Sequence, residues 1–218
     1  MTRQINLDVV DRDGAIREVI DEVGGRSRAD LLKTAVVGGG VLLVGGVAIR
    51  GLPTLVAEAA PSKQGDVAIW NFALTLEYLE AAFYAEAKAK GALTGEAAQF
   101  AGIVGAHEQA HVAFLKKALG SSAVKTPKFD FGQTTTDPAM FMATSIALED
   151  TGVAAYNGQG PNLTPAGRGP AAMIVSVEAR HAAWIRDIAK KSPAPVGFDE
   201  PKTKQQVLAA VNNTGFTA

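Results

Sequence analysis

The sequence predicts an all-α protein: a four-helix bundle with one long crossover connection, preceded by an N-terminal segment of different composition. Two observations carry this prediction. Long segments after residue 65 place apolar residues at helical spacing and contain little Gly or Pro. The second half of this region also repeats the first, which is typical of two related helix pairs. One long connection between short ones is what a crossover between two helical hairpins requires.

The N-terminal segment has the layout of an export signal. It combines a charged region, an apolar Gly-rich run over 35–49 and the small residues Ala57 to Ala60. The run Ser27 to Lys33 resembles a twin-arginine signal, with Ala29 in place of the second Arg. We therefore expect residues 1–60 to be an export signal and 61–218 the bundle, located in the periplasm or cell envelope. Alternatively, 1–60 stays attached as a helical anchor or oligomer contact, with 35–49 touching a membrane.

The bundle helices follow in order along the chain. Thr94 and Asp137-Pro138 are suited to helix starts, because side-chain oxygens can accept from free amides there and Pro fits a first turn. The long connection, from Gly120 to Thr136, carries Phe129 and Phe131. A short final helix near 201–211 is expected to pack outside the bundle. The four main helices are predicted near 66–90, 95–118, 137–156 and 168–190.

Composition excludes several classes of function. The 218 residues carry a net charge of −1 without a basic stretch, so we expect no nucleic-acid partner. Cys is absent, which excludes thiolate nucleophiles, iron–sulfur clusters and disulfides. Any bound metal must therefore be held by oxygen and nitrogen. Composition does not fix the assembly, and a homo-oligomer remains open.

The repeat carries the candidate site. Glu108-x-x-His111 and Glu178-x-x-His181 share the pattern Glu-x-x-His-x-Ala-aromatic-aliphatic. Side chains three apart on a helix are neighbours, so each carboxylate and imidazole can reach one point. Upstream of each pair lies a further Glu in an apolar helix, with a Tyr seven residues on. These four residues are Glu77 with Tyr84, and Glu149 with Tyr156.

The six acidic and imidazole groups are predicted to bind two metal ions. Buried carboxylates are costly unless they are protonated, paired or bound to a cation. We expect Glu108 and Glu178 to bridge the metals, with Glu77, Glu149, His111 and His181 as terminal ligands. Oxygen ligands with some imidazole suit iron or manganese, although zinc could also bind. Open positions would accept dioxygen or peroxide. Tyr84 and Tyr156 could hydrogen-bond the ligands or pass electrons, or could simply pack in the core.

Three neighbouring features have competing interpretations. His107-Glu108-x-x-His111 is literally the zinc peptidase motif, but the second repeat has Val177 where His107 stands. His107 is therefore interpreted as a residue behind the ligands or on the surface. Glu80 is interpreted as a solvated helix charge, because its repeat counterpart is Gly152.

The segment 73–84 reads ALTLEYLEAAFY, and with both Glu-x-x-His pairs it resembles the ferritin-like domain family, which includes exported bacterial and plant desiccation-related proteins. The resemblance covers roughly Asp66 to Lys191 and implies a four-helix bundle able to hold a di-metal centre. Ferritins and bacterioferritins also place a Tyr seven residues after the first ligand. We expect a ferroxidase or a peroxide-consuming oxidase in stress defence. A non-catalytic metal-binding or stress-protective protein and a dimanganese catalase remain alternatives.

Overall fold

The computed structural model describes residues 61–216 and, upstream of them, the two short strands β1 (Leu43–Val44) and β2 (Val47–Ala48), which pair antiparallel. Contacts divide the chain after Ala57 into two units. The export signal and the boundary at residue 60 lie outside the described residues, so both stay predictions. None of the described helices has the length and apolar character that crossing a membrane requires.

Residues 61–216 are built from helices, which confirms the all-α prediction for this part of the chain. Short 3₁₀ turns, Gly120–Ser122 and Gly160–Asn162, follow the second and third helices. The predicted helix ends agree with the observed ones to within about three residues. The helices are α1 (Lys63–Lys90), α2 (Gly95–Leu119), α3 (Pro138–Gln159), α4 (Pro165–Ile188) and α5 (Lys204–Asn213).

Local chemistry explains where the helices begin and end. The Ser62 hydroxyl accepts from the Gly65 amide at 3.0 Å, and α1 ends at Gly91, whose φ of 63° suits glycine. The Asp137 carboxylate accepts from the Met140 amide at 2.8 Å, as predicted for this start. Thr94 does occupy the position before α2, but its side chain makes no capping hydrogen bond, so that part of the prediction is wrong.

The four long helices pack as two hairpins, α1 with α2 and α3 with α4, joined by further contacts of α1 with α3 and α2 with α4. Residues 91–94 and 160–164 connect the hairpin helices, whereas 120–137 make the long link from α2 to α3. Phe131 of this link is buried against Phe83, which also stacks on Phe141. The long link therefore packs against one part of the core, and the four long helices enclose the rest.

The last segment packs on α3. The Lys202 amide donates to the Ala154 carbonyl at 3.0 Å, and a Cβ at Gly158 would lie 1.9 Å from the Lys202 carbonyl oxygen. Only glycine permits this approach. Helix α5 then buries Val207 completely, with a Thr203–Gln206 capping box at its start. It lies beside the four-helix core, as expected.

Candidate metal centre

The structure brings together all six side chains that the repeat singled out. They come from the middle of all four long helices: one Glu from α1 and one from α3, and a Glu-x-x-His pair from α2 and from α4. Five are buried to 3% exposure or less, and the sixth, His111, has a side chain 11% exposed. The six are Glu77 on α1, Glu108 and His111 on α2, Glu149 on α3, and Glu178 and His181 on α4.

One half of the cluster is centred on the His111 ring. Its Nδ1 lies 3.2 Å from Glu77 Oε2, 3.0 Å from Glu108 Oε2 and 3.0 Å from Glu178 Oε1. One ring nitrogen therefore faces three carboxylates from three helices.

The other half is centred on His181 and has the same form. Its Nδ1 lies 3.0 Å from Glu108 Oε1, 3.2 Å from Glu149 Oε2 and 3.7 Å from Glu178 Oε2. Glu108 and Glu178 each turn one oxygen to either half, so the internal repeat becomes an approximate twofold arrangement of side chains.

The cluster has the donor set of a cation site. Two overlapping groups of four ligand atoms, each within 4.8 Å of one another, share Glu108 and Glu178; one adds Glu77 and His111, and the other adds Glu149 and His181. Glu108 Oε1 and both oxygens of Glu178 are buried without a hydrogen-bond partner. Unsatisfied buried carboxylate oxygens are costly, and divalent cations would satisfy them. The residues present therefore fit a pair of metal ions.

Burial controls the charge of the two outer carboxylates. Desolvation raises the pKa of Glu77 well above its usual value, and the charge of Glu178 adds to this, against a hydrogen bond from His111. Desolvation likewise raises the pKa of Glu149, against a hydrogen bond from His181. Without a cation, these carboxyl groups hold protons more firmly than exposed ones.

The neighbouring carboxylates, and not burial, decide the pKa values of the two imidazoles. Desolvation alone would lower the pKa of His111, but the carboxylates of Glu108, Glu178 and Glu77 close to its ring raise it to about 12. The pKa of His181 is raised to about 11 in the same way. In the metal-free protein the rings are therefore imidazolium ions that neutralise part of the acidic cluster. Metal binding must release these protons, because a ligating imidazole is neutral.

The two tyrosines connect the halves of the cluster. The Tyr84 hydroxyl on α1 donates to Glu149 Oε1 on α3, and the Tyr156 hydroxyl on α3 donates to Glu77 Oε1 on α1. Each tyrosine thus serves the carboxylate of the other helix, although the sequence pattern pairs it with the Glu on its own. Both rings are buried, and burial raises both tyrosine pKa values, with the charge of the accepting Glu adding to it. The hydroxyls therefore remain donors.

A close helix contact and an aromatic layer shield one end of the cluster. A Cβ at Gly105 would lie 2.9 Å from Tyr84 Cβ, so glycine there lets α2 approach α1. The Tyr84 ring packs edge-to-face on Phe100, which does the same against Trp184. This packing excludes water from the Tyr84–Glu149 side.

The interpretation of Glu80 as a solvated helix charge is wrong. Its side chain is buried, with 3% exposure, although its repeat counterpart is Gly152. The Glu80 side chain reaches across to Gly152 on α3, where a built Cβ would lie 3.4 Å from Glu80 Oε1, an ordinary contact distance. Desolvation and the charge of Glu178 raise the Glu80 pKa well above its usual value. The sequence signal for the burial of Glu80 was its position three residues after Glu77, because residues at that spacing lie on the same helix face.

His107 lies at the surface, beside His181. Its Nδ1 is 2.9 Å from His181 Nε2, and the two rings are nearly parallel, with an interplanar angle of 13°. His107 belongs to neither ligand group found among residues 61–216. The two histidines of the peptidase-like motif therefore do not converge as a zinc-binding pair.

Comparison with known protein families finds a match over the bundle. Residues 65–191, which contain α2, α3, α4 and all but the first two residues of α1, match the model of a family described as a ferritin-like domain. No curated protein matches the chain.

Proposed function

The chain belongs to the ferritin-like domain family, as its resemblance predicted, and we propose that it holds two transition-metal ions between its four long helices and uses them to oxidise ferrous iron or to consume peroxide or dioxygen. The observation that carries the proposal is the pair of overlapping ligand groups that share Glu108 and Glu178. Two carboxylates common to both groups suit bridging ligands, with one further Glu and one His completing each position.

The donor set favours iron or manganese. Carboxylate oxygens in the majority with one imidazole per ion are typical ligands of these metals, although zinc also binds such sites well. When bound, iron or manganese supplies the redox chemistry that the side chains themselves lack.

The protein's own residues hold and orient the ligands. Oε1 of Glu77 accepts a hydrogen bond from the Tyr156 hydroxyl, and its Oε2 faces His111. Oε1 of Glu149 accepts a hydrogen bond from the Tyr84 hydroxyl, and its Oε2 faces His181. Each outer carboxylate is thereby fixed at one oxygen and left with one free to coordinate. Such hydrogen bonds behind the ligands support metal affinity and geometry.

The imidazolium protons give the metal-free site a defined state. Both rings stand between carboxylates and stabilise a cluster whose negative charges would otherwise repel one another. We propose that incoming cations replace these protons, so that loading is accompanied by proton release.

Elemental analysis and ferrous oxidation test the proposal. Protein refolded or purified in excess iron or manganese should retain close to two ions per chain, and aerobic addition of ferrous ion should give ferric absorbance rapidly. Glu108→Gln, which keeps the shape but removes a shared charge, should abolish both. Gln109→Ala, an exposed neighbour on the same helix, is the matched control and should change neither.

The other outcomes identify the alternatives. Two bound ions with ferrous oxidation no faster than in Glu108→Gln would indicate metal storage or a stress-protective role without turnover. Oxygen evolution from peroxide by manganese-loaded protein would identify a dimanganese catalase. Retention of neither metal at the site would refute the proposal.

A further inference from the structure

Among the positions at which the two repeats differ, two carry polar side chains beside the metal centre. Counting from the matched ligands, Glu80 occupies the position that the second repeat gives to Gly152, and His107 occupies the position given to Val177. Every ligand and both tyrosines obey the repeat. These two side chains can therefore make the two metal positions differ, and both lie towards the same one.

Glu80 adds a carboxylate near the position formed with Glu149. It lies on the Glu77 face of α1, yet its Oε1 reaches the space beside Gly152 on α3, where a built Cβ would also lie 3.5 Å from Glu178 Oε2. The charge of Glu149 raises the Glu80 pKa more than that of Glu77 does, which is consistent with this orientation. The counterpart of Glu80 in the second repeat is Gly152, which has no side chain, so α3 adds no matching carboxylate beside the position formed with Glu77.

His107 acts on the same position through its histidine. With His181 Nδ1 turned to Glu108 and Glu149, Nε2 is left to donate, and His107 Nδ1 lies 2.9 Å from it. A hydrogen-bond acceptor on the far nitrogen fixes the orientation of a ligating imidazole and makes it more basic. His111 gains no such acceptor from the repeat, since Val177 is apolar.

We infer that the two metal positions are inequivalent, and that the one formed by Glu108, Glu149, Glu178 and His181 binds its cation first and more tightly. Glu80 places a further carboxyl oxygen beside this position, and His107 is a positioning residue for His181. The inference rests on the proposed function, because it assumes that both positions bind metal. It goes beyond that function by assigning an order of filling and two residues that set it.

Titration of metal-stripped, full-length protein with manganous ion under anaerobic conditions tests the inference without turnover. Calorimetry, combined with the electron paramagnetic resonance signal of free manganous ion, resolves the two binding steps. The wild-type protein should show two steps. His107→Val, which introduces the residue of the other repeat, should weaken the first step about 10-fold or more while leaving the second within about twofold.

Two further variants keep the test independent of any one substitution. Glu80→Gln retains shape and burial and should also weaken the first step selectively, by a smaller factor. Val177→His should strengthen the second step and narrow the gap between the two. Gln109→Ala, exposed on the same helix as His107, should leave both steps unchanged.

The outcomes separate this inference from the proposed function. Two ions that bind with one common affinity, or variants that weaken both steps equally, would overturn the inference and leave the di-metal proposal intact. Failure of wild-type protein to bind two ions would overturn both. Far-ultraviolet circular dichroism of each variant shows whether the helices are retained.

Discussion

Gly105 offers a quantitative test of how α1 and α2 position the centre. It lies one turn before Glu108, where α2 approaches Tyr84 on α1. An alanine Cβ would stand 2.9 Å from Tyr84 Cβ, whereas ordinary contacts begin at 3.4 Å, so the atoms must separate by 0.5 Å or more. Tyr84 Cβ is fixed to its backbone, and no rotamer change relieves the contact. The helices themselves must move.

Gly102 provides the matched control, because it lies on the same helix and a Cβ there meets nothing within 4 Å. Replacing Gly by Ala inside a helix gains about 1 kcal/mol from backbone entropy. Overpacking a well-packed contact costs about 1–3 kcal/mol. Since both variants share the gain, Gly105→Ala should be less stable than Gly102→Ala by about 1–3 kcal/mol. For a protein of this size, that is about 2–12 °C in Tm.

Thermal and urea unfolding of the metal-free proteins, followed by circular dichroism, measure the difference. Gly102→Ala should unfold at or above the wild-type temperature. If Gly105→Ala is as stable as Gly102→Ala, the close approach of α1 and α2 at Tyr84 is not a real constraint, and the account of how these helices seat the site is wrong.

Three other predictions concern charge, hydrogen bonding and the C-terminal segment. For the metal-free protein, stability should fall as pH rises from 5 to 8. The folded protein raises the pKa of His111 to about 12 and that of His181 to about 11, so over this range these rings lose their protons only in the unfolded chain. Thermal unfolding in chelator at each pH checks the sign, and a rise in stability would contradict it; two equivalents of manganous ion should reverse the trend, since metal competes with these protons. Tyr84→Phe and Tyr156→Phe should each cost about 1–3 kcal/mol in urea unfolding, because each leaves a buried carboxylate oxygen without its donor, and a neutral effect would argue against the crossed hydrogen bonds. Gly158→Ala should detach the segment from Lys202 onwards, because the new Cβ would lie 1.9 Å from the Lys202 carbonyl oxygen. Limited proteolysis should therefore cleave the Gly158→Ala protein near 190–203 much faster than the Gly160→Ala protein. Gly160→Ala is the control, because a Cβ at that position meets nothing within 4 Å.

The helices and their ends could be predicted because their causes are local. Apolar spacing marks each buried face, and the Asp137 carboxylate with Pro138 fixes the start of α3 within the same few residues. Thr94 shows the limit of this reasoning. A residue type suited to capping need not make the bond, since its rotamer also depends on the surroundings of the helix start.

The six clustered side chains could also be identified from the sequence, because a repeated i, i+3 spacing constrains which groups share a helix face. The hydrogen-bond partners of the two tyrosines could not be identified in this way. Tyr84 lies seven residues, or roughly 10 Å, along the helix from Glu77, and the packing of α3 beside α1 gives it Glu149 as its partner instead. The burial of Glu80 likewise involves another helix, because its Oε1 lies beside Gly152 on α3.

Periodicity and spacing act within one helix, and they are enough to predict the helical class, the internal repeat and the acidic and imidazole groups. The packing of the helices sets which oxygen faces which nitrogen, which hydroxyl donates to which carboxylate, and how Glu80 and His107 depart from the twofold arrangement. The contacts between helices join residues that lie between 32 and 79 positions apart in the chain, as from Glu149 to His181 and from Glu77 to Tyr156. No local pattern encodes them, since they arise from how close the helices can approach.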